Sequence, residues 1–262
     1  MANFICFFAL FVVSSHCITF TYNRYIMQAA LYLIPVSLGD TELSQVLPTY
    51  NVSVVREIRH FVVEEIRTAR RFLRKLDREF PIDDCTFYDM GKHAPDRSFA
   101  EPLRVLQGGT AVGVISEAGC PAVADPGAEV VAQAQRKGLR VVPLVGPNSM
   151  IMAVMSSGLC GQSFAFNGYL PVDDTERAKR LKALESRALS EDQTQLFIET
   201  PFRNRKMFET LTRTLRPQTR MCIAAGITTA DEWIRTCTIA EWKKTPLPDL
   251  SKIPAIFLIG KG

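Results

Sequence analysis

Between residues 27 and 262, short apolar runs alternate with longer amphipathic stretches, and this alternation narrows the fold more than any other feature. A short apolar run suits a strand covered on both faces. An amphipathic stretch suits the helix that covers it, so together they select an α/β layer architecture. Strands are expected at 31–36, 110–116 and 139–145 in the first half. In the second half they are expected at 163–169, 195–199, 221–225, 233–238 and 253–259. Ile58, Val62, Ile66, Ala69, Leu73 and Leu76 recur at helical spacing, which predicts one helix over 56–77. Asp125-Pro126-Gly127 reads as a helix start, with Asp125 at the N-cap and Pro126 first in the helix, and Gly138 marks its end. Residues 150–156, 173–189 and 201–215 read as further helices. The segment 157–162, with Gly158 and Gly161, reads as the linker between two α/β lobes spanning 27–157 and 162–262.

Two of the expected strands end in unusual loops. Ser116-Glu117-Ala118-Gly119-Cys120-Pro121 runs on to Asp125-Pro126-Gly127, where small residues let main chain approach a ligand and prolines stiffen the turn. Val145-Gly146-Pro147-Asn148-Ser149 repeats the arrangement, a strand end entering a helix start whose free N–H groups can hold a polar ligand group. Both lie where open α/β sheets bind ligands, although a loop that simply needs Gly and Pro has the same composition. There is no GxGxxG, no GxxxxGK[ST] and no GxSxG, so a dinucleotide fold, a P-loop or a hydrolase elbow is unsupported.

Composition excludes several classes. With 47% hydrophobic and 22% charged residues the chain is neither disordered nor collagen-like. A net charge of +4 is too small to announce a nucleic-acid binder, but it is uneven, with 16 Lys+Arg against 12 Asp+Glu in residues 161–262. The 173–189 helix carries Arg177, Lys179, Arg180, Lys182 and Arg187, either a solvated face or an RNA-facing one. The seven cysteines are odd in number and widely spaced, and Cys6, Cys17, Cys85, Cys120, Cys160, Cys222 and Cys237 read as reduced, mostly buried thiols. None of His16, His60 and His93 stands at ligand spacing from a cysteine, and no metal site is expected. Residues 1–26 hold an apolar run too short to span a bilayer and lacking a basic residue before it. An over-extended start before Met27 is the reading, with an export signal as the alternative.

The segment 116–127, SEAGCPAVADPG, resembles the S-[DE]-A-G-x-P-x-x-x-D-P-G signature of the tetrapyrrole-methylase-like S-adenosylmethionine (SAM) methyltransferases. Within them the chain is most similar to the ribosomal small-subunit RNA cytidine 2′-O-methyltransferases. Leu31-Tyr32-Leu33-Ile34-Pro35 with Leu38-Gly39-Asp40 resembles their opening strand and loop, and Glu64-Glu65-Ile66-Arg67 resembles their Glu-Asp-Thr-Arg. Val145-Gly146-Pro147-Asn148-Ser149 resembles their Pro-Gly-Pro-Ser turn. Phe166-Asn167-Gly168-Tyr169-Leu170-Pro171 and Glu199-Thr200-Pro201-Phe202-Arg203 resemble motifs of their second lobe. The opening loop departs from that pattern, with Pro35 displaced and Asp40 in place of Asn; so do Ile66 for Thr and Phe202 for His.

The resemblance implies a two-lobed fold with SAM in the cleft and a homodimer, while the reduced thiols, the cysteine and histidine spacing and the short apolar run give the expectation of a cytoplasmic protein with neither metal nor membrane. The implied cofactor contacts are Pro35, Gly39, Ser116, Glu117, Ala118, Gly119, Cys120, Asp125, Gly146, Pro147, Asn148, Ser149, Glu199 and Thr200. The implied reaction is methylation of a ribose 2′-hydroxyl in ribosomal RNA of the small subunit. A base or acceptor near that hydroxyl would help, and Glu64, Glu65 and Arg67 are the candidates unless they form an ordinary charged helix face. Methylation of a tetrapyrrole or other small molecule, a bilobal binding protein without chemistry, and a methyltransferase that has lost turnover remain alternatives.

Overall fold

The computed structural model describes residues 27–91 and 99–261, so the expectations for residues 1–26, with Cys6, His16 and Cys17, and for His93 lie outside the described residues. The first unit runs β1 (Leu31–Ile34), α1 (Leu43–Val46), α2 (Thr49–Glu57), β2 (His60–Val63), α3 (Ile66–Leu76) and β3 (Thr86–Asp89). It continues through α4 (Ala100–Gln107), β4 (Val112–Ile115), α5 (Ala128–Arg136) and β5 (Val141–Pro143). The five strands form a parallel sheet in the order β3-β2-β4-β1-β5. Ile34, Phe61 and Val63 pack on one face against Val54 and Val55 of α2 and Ala69 and Leu73 of α3. Leu31, Val62, Val112 and Val114 pack on the other against α4 and α5. Burial on both faces is why these strands read as continuous apolar runs.

The single helix expected over 56–77 is not formed. The chain makes the end of α2, then β2, then α3. His60-Phe61-Val62-Val63 is an aromatic and β-branched run, and it fills a central position between β3 and β4 with Phe61, Val62 and Val63 fully buried. Gly113 of β4 leaves the space that Phe61 and Ile34 occupy, since a Cβ there would lie 2.7–2.9 Å from them. The helical spacing of Ile58, Val62 and Ile66 is a coincidence across three elements. As a result Glu64 and Glu65 sit in the turn after β2 rather than on a helix face. The second correction concerns α5, which starts at Ala128 after Gly127 (φ 120°), two residues beyond the expected Asp125 cap.

The second unit comprises α6 (Ser149–Ser157), β6 (Phe164–Tyr169), α7 (Asp174–Ser190), β7 (Thr194–Glu199), α8 (Asn204–Thr214), β8 (Arg220–Ala225), β9 (Trp233–Thr238), α9 (Ile239–Trp242) and β10 (Ala255–Gly260). Its sheet runs β6-β7-β10-β8-β9, parallel between β6 and β7 and antiparallel elsewhere. Leu181, Leu184, Met207 and Leu211 of α7 and α8 cover one face with Trp242. Helix α6 covers the other, with Ala153 and Val154 against Leu196, Cys222, Ala224, Ile256 and Leu258. The helix expected with the first lobe therefore packs on the second sheet. The segment 157–162 is a turn within that packing unit, opened by Gly158 at φ 66°.

Arg177, expected among solvated cations, is 2% exposed. Its guanidinium donates to the Pro171 and Val172 carbonyls at 3.2 and 2.8 Å and pairs with Asp174, tying α7 to the loop after β6. Of the described cysteines all five are free thiols, and only Cys222 is buried; burial pushes its thiol up to about 11.

Candidate active site

The parallel strands β1, β4 and β5 all end at one edge of the first sheet, and their loops lock together there. Val36 donates its N–H to Gly119 O at 2.9 Å, and the Cys120 thiol donates to Pro147 O at 3.4 Å. Gly119 takes φ 67°, and a side chain there would meet Leu38 at 3.1 Å. Gly146 lies against the Pro35 ring so closely that a Cβ would stand 2.2 Å from Pro35 Cγ. Pro35, Gly119, Cys120, Gly146 and Pro147 thus build the platform from main chain and rings. Asn148 caps α6, its Oδ1 accepting from Met150 N and Ile151 N at 3.1 Å each.

The second lobe closes over this platform. The Thr41 hydroxyl donates to Thr228 O at 2.5 Å, and a Cβ on Gly39 would stand 2.6 Å from Thr229 Cγ2. Between the lobes lies a cavity of about 710 Å³, within the range that takes small-molecule cofactors. Of the expected contacts, Gly39, Ala118, Ser149, Glu199 and Thr200 line it. Ser116 and Glu117 line a separate crevice of about 170 Å³ against α3, where the Thr68 hydroxyl donates to Glu117 Oε1 at 2.5 Å.

Two acidic groups differ in their surroundings. Glu199, with its side chain 3% exposed, receives Arg203 Nη2 at 2.7 Å, Arg203 Nε at 2.9 Å and Thr200 N at 2.7 Å, all on Oε1. Its Oε2 has no donor among the described residues. Asp125 is half-buried beside the buried Ser116, whose hydroxyl has no partner of hydrogen-bond geometry among the described residues. Burial holds the Asp125 carboxyl above the ordinary aspartate range; the nearby Ser116 hydroxyl offsets part of this, and the Glu117 charge adds to it.

A carboxyl whose pKa is higher folded than unfolded costs nothing while protonated in both states and subtracts stability as pH rises past the unfolded value. Asp125→Asn is therefore expected to raise the melting temperature near pH 7, the gain fading as pH falls below about 4. Thermal denaturation across that range checks it, and a gain of constant size at every pH would contradict the assigned cause.

Glu64, Glu65 and Arg67 reach the same sheet edge, but none of them lines the cavity. Glu65 Oε1 caps α3 by accepting from Arg67 N at 3.0 Å. Sequence reasoning missed the 226–231 loop, which supplies Gly226, Thr229 and Asp231 to the cavity, and the 252–256 approach to β10. The available signal was Gly226 directly after a buried strand, at φ 59° in a turn where a Cβ would stand 2.8 Å from Asp231 O. Among the described residues no group of three His, Cys, Asp or Glu side chains is placed to hold a metal ion. No described helix is long and apolar enough to cross a membrane.

The sequence profile of the Tetrapyrrole (Corrin/Porphyrin) Methylases matches residues 31–243. The ribosomal RNA small subunit methyltransferase I of Pseudomonas aeruginosa is 30% identical over 211 residues, covering 80% of this chain and 71% of that protein. The protein of the same name from Mesorhizobium japonicum is 36% identical over 216 residues, covering 81% and 68%. Among solved structures, the methyltransferase CobJ superposes with a TM-score of 0.58 at 16% identity, covering 89% of this chain and 94% of that one.

Proposed function

As the chain belongs to the tetrapyrrole methylase family of methyltransferases, we propose that it takes its methyl group from S-adenosylmethionine and delivers it to a ribose 2′-hydroxyl of small-subunit ribosomal RNA. The observation that supports this most is the interlobe cavity, walled by Leu38, Gly39, Asp40 and Ala118 of the loops after β1 and β4 on one side and by Glu199 and the Gly226 turn on the other. The acceptor class comes from the names of the relatives, both ribosomal RNA small subunit methyltransferases.

The residues present fit the donor. The cavity volume suits it, and Gly39 leaves its wall bare where a Cβ would stand 2.6 Å from Thr229 Cγ2. Gly39, Ala118, Ser149 and Thr200 would hold it, with Pro35, Gly119, Cys120, Gly146, Pro147 and Asn148 shaping the loops. When bound, S-adenosylmethionine supplies an electrophilic methyl carbon on a good leaving group.

The protein's own work is then alignment. Well-oriented reactants supply about 7–11 kcal/mol toward a displacement, and rigid loops locked by Gly146 on Pro35 provide that orientation. The free Oε2 of Glu199 can accept the hydrogen bond of the acceptor hydroxyl, fixing the direction of its lone pair. Glu64, Glu65 and Arg67, outside the cavity, are better suited to the surroundings of the acceptor than to the transferred group.

A homodimer in the cytoplasm completes the reading. Phe166 pairs in register with Leu196, so Phe164 and Phe166 share the sheet face that α6 covers, and they remain exposed with Ile151 and Met155 of α6. Exposed apolar side chains on one face suit a second copy of the chain.

Incubation with methyl-labelled donor and purified small ribosomal subunits tests the function. The expected result is label in the RNA at a ribose oxygen. Absence of RNA labelling together with labelling of a tetrapyrrole would replace the acceptor while leaving the family intact.

A further inference from the structure

Helix α3 carries Arg67, Arg70, Arg71, Arg74 and Lys75 and no acidic residue. Arg67, Arg71 and Lys75 stand at i, i+4 and i+8, so they form one stripe about 12 Å long at a rise of 1.5 Å per residue. The acids around the helix are already engaged. Glu65 caps it, Glu117 takes the Thr68 hydroxyl, Asp83 meets Arg70 at 3.3 Å, and Asp77 meets Arg56 at 2.8 Å. Asp40 lies 3.5 Å from Lys75, whose ammonium also donates to Thr41 O at 2.9 Å. Among the described residues Arg67 and Arg71 have no ion-pair partner, and both are exposed.

The stripe also has a telling position. Arg71 and Lys75 line the smaller crevice with Ser37 and Glu117, and these are near or next in the chain to Gly39 and Ala118 of the main cavity. A polyanion lying along α3 would therefore run to the mouth of the cavity. On helix α7, Arg177 is buried, Arg180 bonds Asn167 Oδ1 at 3.1 Å, and Arg187 lies 3.7 Å from Glu191; the exposed Lys179 and Lys182 line a depression with Arg213 that shares no residue with the main cavity.

We propose that Arg67, Arg71 and Lys75 form the phosphate-docking rail of this enzyme, holding the single-stranded RNA backbone next to the acceptor nucleotide. This rests on the RNA reading of the acceptor and adds the surface that binds it. Flexible cations at helical spacing suit backbone phosphates, which need positive charge and reach rather than base-specific geometry.

The test compares the full chain with the Arg67→Gln/Arg71→Gln/Lys75→Gln variant, using a single-stranded oligoribonucleotide for binding and small ribosomal subunits for methylation. Each phosphate contact to a single strand contributes about 0.7 to the slope of log affinity against log salt. The slope is therefore expected to fall by about 2, and affinity near 0.1 M salt by roughly 100-fold. KM for the subunits should rise while kcat at saturation changes little. The Arg67→Lys/Arg71→Lys variant keeps the charge and should keep the slope. This separates lost charge from a folding defect.

If the triple variant keeps the wild-type slope while the wild type methylates RNA, the rail is wrong and the acceptor assignment stands. If Lys179→Gln/Lys182→Gln lowers the slope instead, the docking surface lies on α7 and the rail is again wrong. A wild type that neither labels RNA nor binds it in a salt-dependent manner removes the acceptor assignment and the rail together.

Discussion

Gly146→Ala is expected to destabilise the protein by about 1–3 kcal/mol and to lower kcat/KM for methyl transfer by about 100-fold or more. The added methyl would sit 2.2 Å from Pro35 Cγ and 2.3 Å from Pro35 Cβ, with Leu47 Cδ2 at 3.3 Å behind it. A flexible side chain could swing away, but a pyrrolidine ring following directly on β1 has no such freedom. The β1 and β5 loops must separate, and in the proposed function they form the platform that aligns the reactants. Gly138→Ala serves as the control, because Gly138 has φ 66° and open space around it. It should show only the cost of a left-handed alanine, about 1–2 kcal/mol, with activity retained. Unchanged melting and kinetics in Gly146→Ala would mean that the Gly146–Pro35 packing does not hold the site.

Arg203→Ala is expected to cost about 3 kcal/mol of stability and most of the transferase activity. Glu199 is almost wholly buried in the cavity wall, and removing the guanidinium leaves its carboxylate with only Thr200 as donor. Stranding a buried charge costs about 3–5 kcal/mol, and the lower end applies because Arg203 itself keeps 28% exposure. Glu199→Gln in the Arg203→Ala background should restore much of the stability, since no charge is then stranded, but not the activity. Glu199→Gln alone should keep the fold and, with Oε2 in its proposed role as acceptor for the reacting hydroxyl, lower kcat by about 100-fold or more. A stability loss below about 1 kcal/mol in Arg203→Ala, the size found for exposed pairs, would show that Glu199 is effectively solvated.

Much of this was legible from short windows of the chain. Gly138 ends α5 at φ 66°, and Asp173 caps α7 by accepting from Thr175 and Glu176 at 2.9 Å each, both readable from local backbone preference. The loops at 116–120 and 146–149 were recognisable because a buried strand, small residues and a helix start follow one another in sequence. Where local signals conflicted, windows failed. Residues 56–77 satisfy helical spacing, yet a strand wins at His60–Val63 because β3 and β4 offer it two partners. The cations of α7 looked like a single surface until the fold buried Arg177, while those of α3 proved to share a stripe beside the strand ends.

The amino-acid order alone determined the α/β class, the two kinds of layer and the small-residue loops of the first lobe, since these follow from periodicity and backbone freedom within a few residues. Tertiary structure alone decided that α6 covers the second sheet, that the Gly226 turn meets the β1 loop, and that Glu199 rather than Glu64 or Glu65 lines the cavity. The reason is physical. An apolar helix face or a strand-end loop carries no local record of its partner, and the choice among partners is made by burial and hydrogen bonding between segments far apart in the chain.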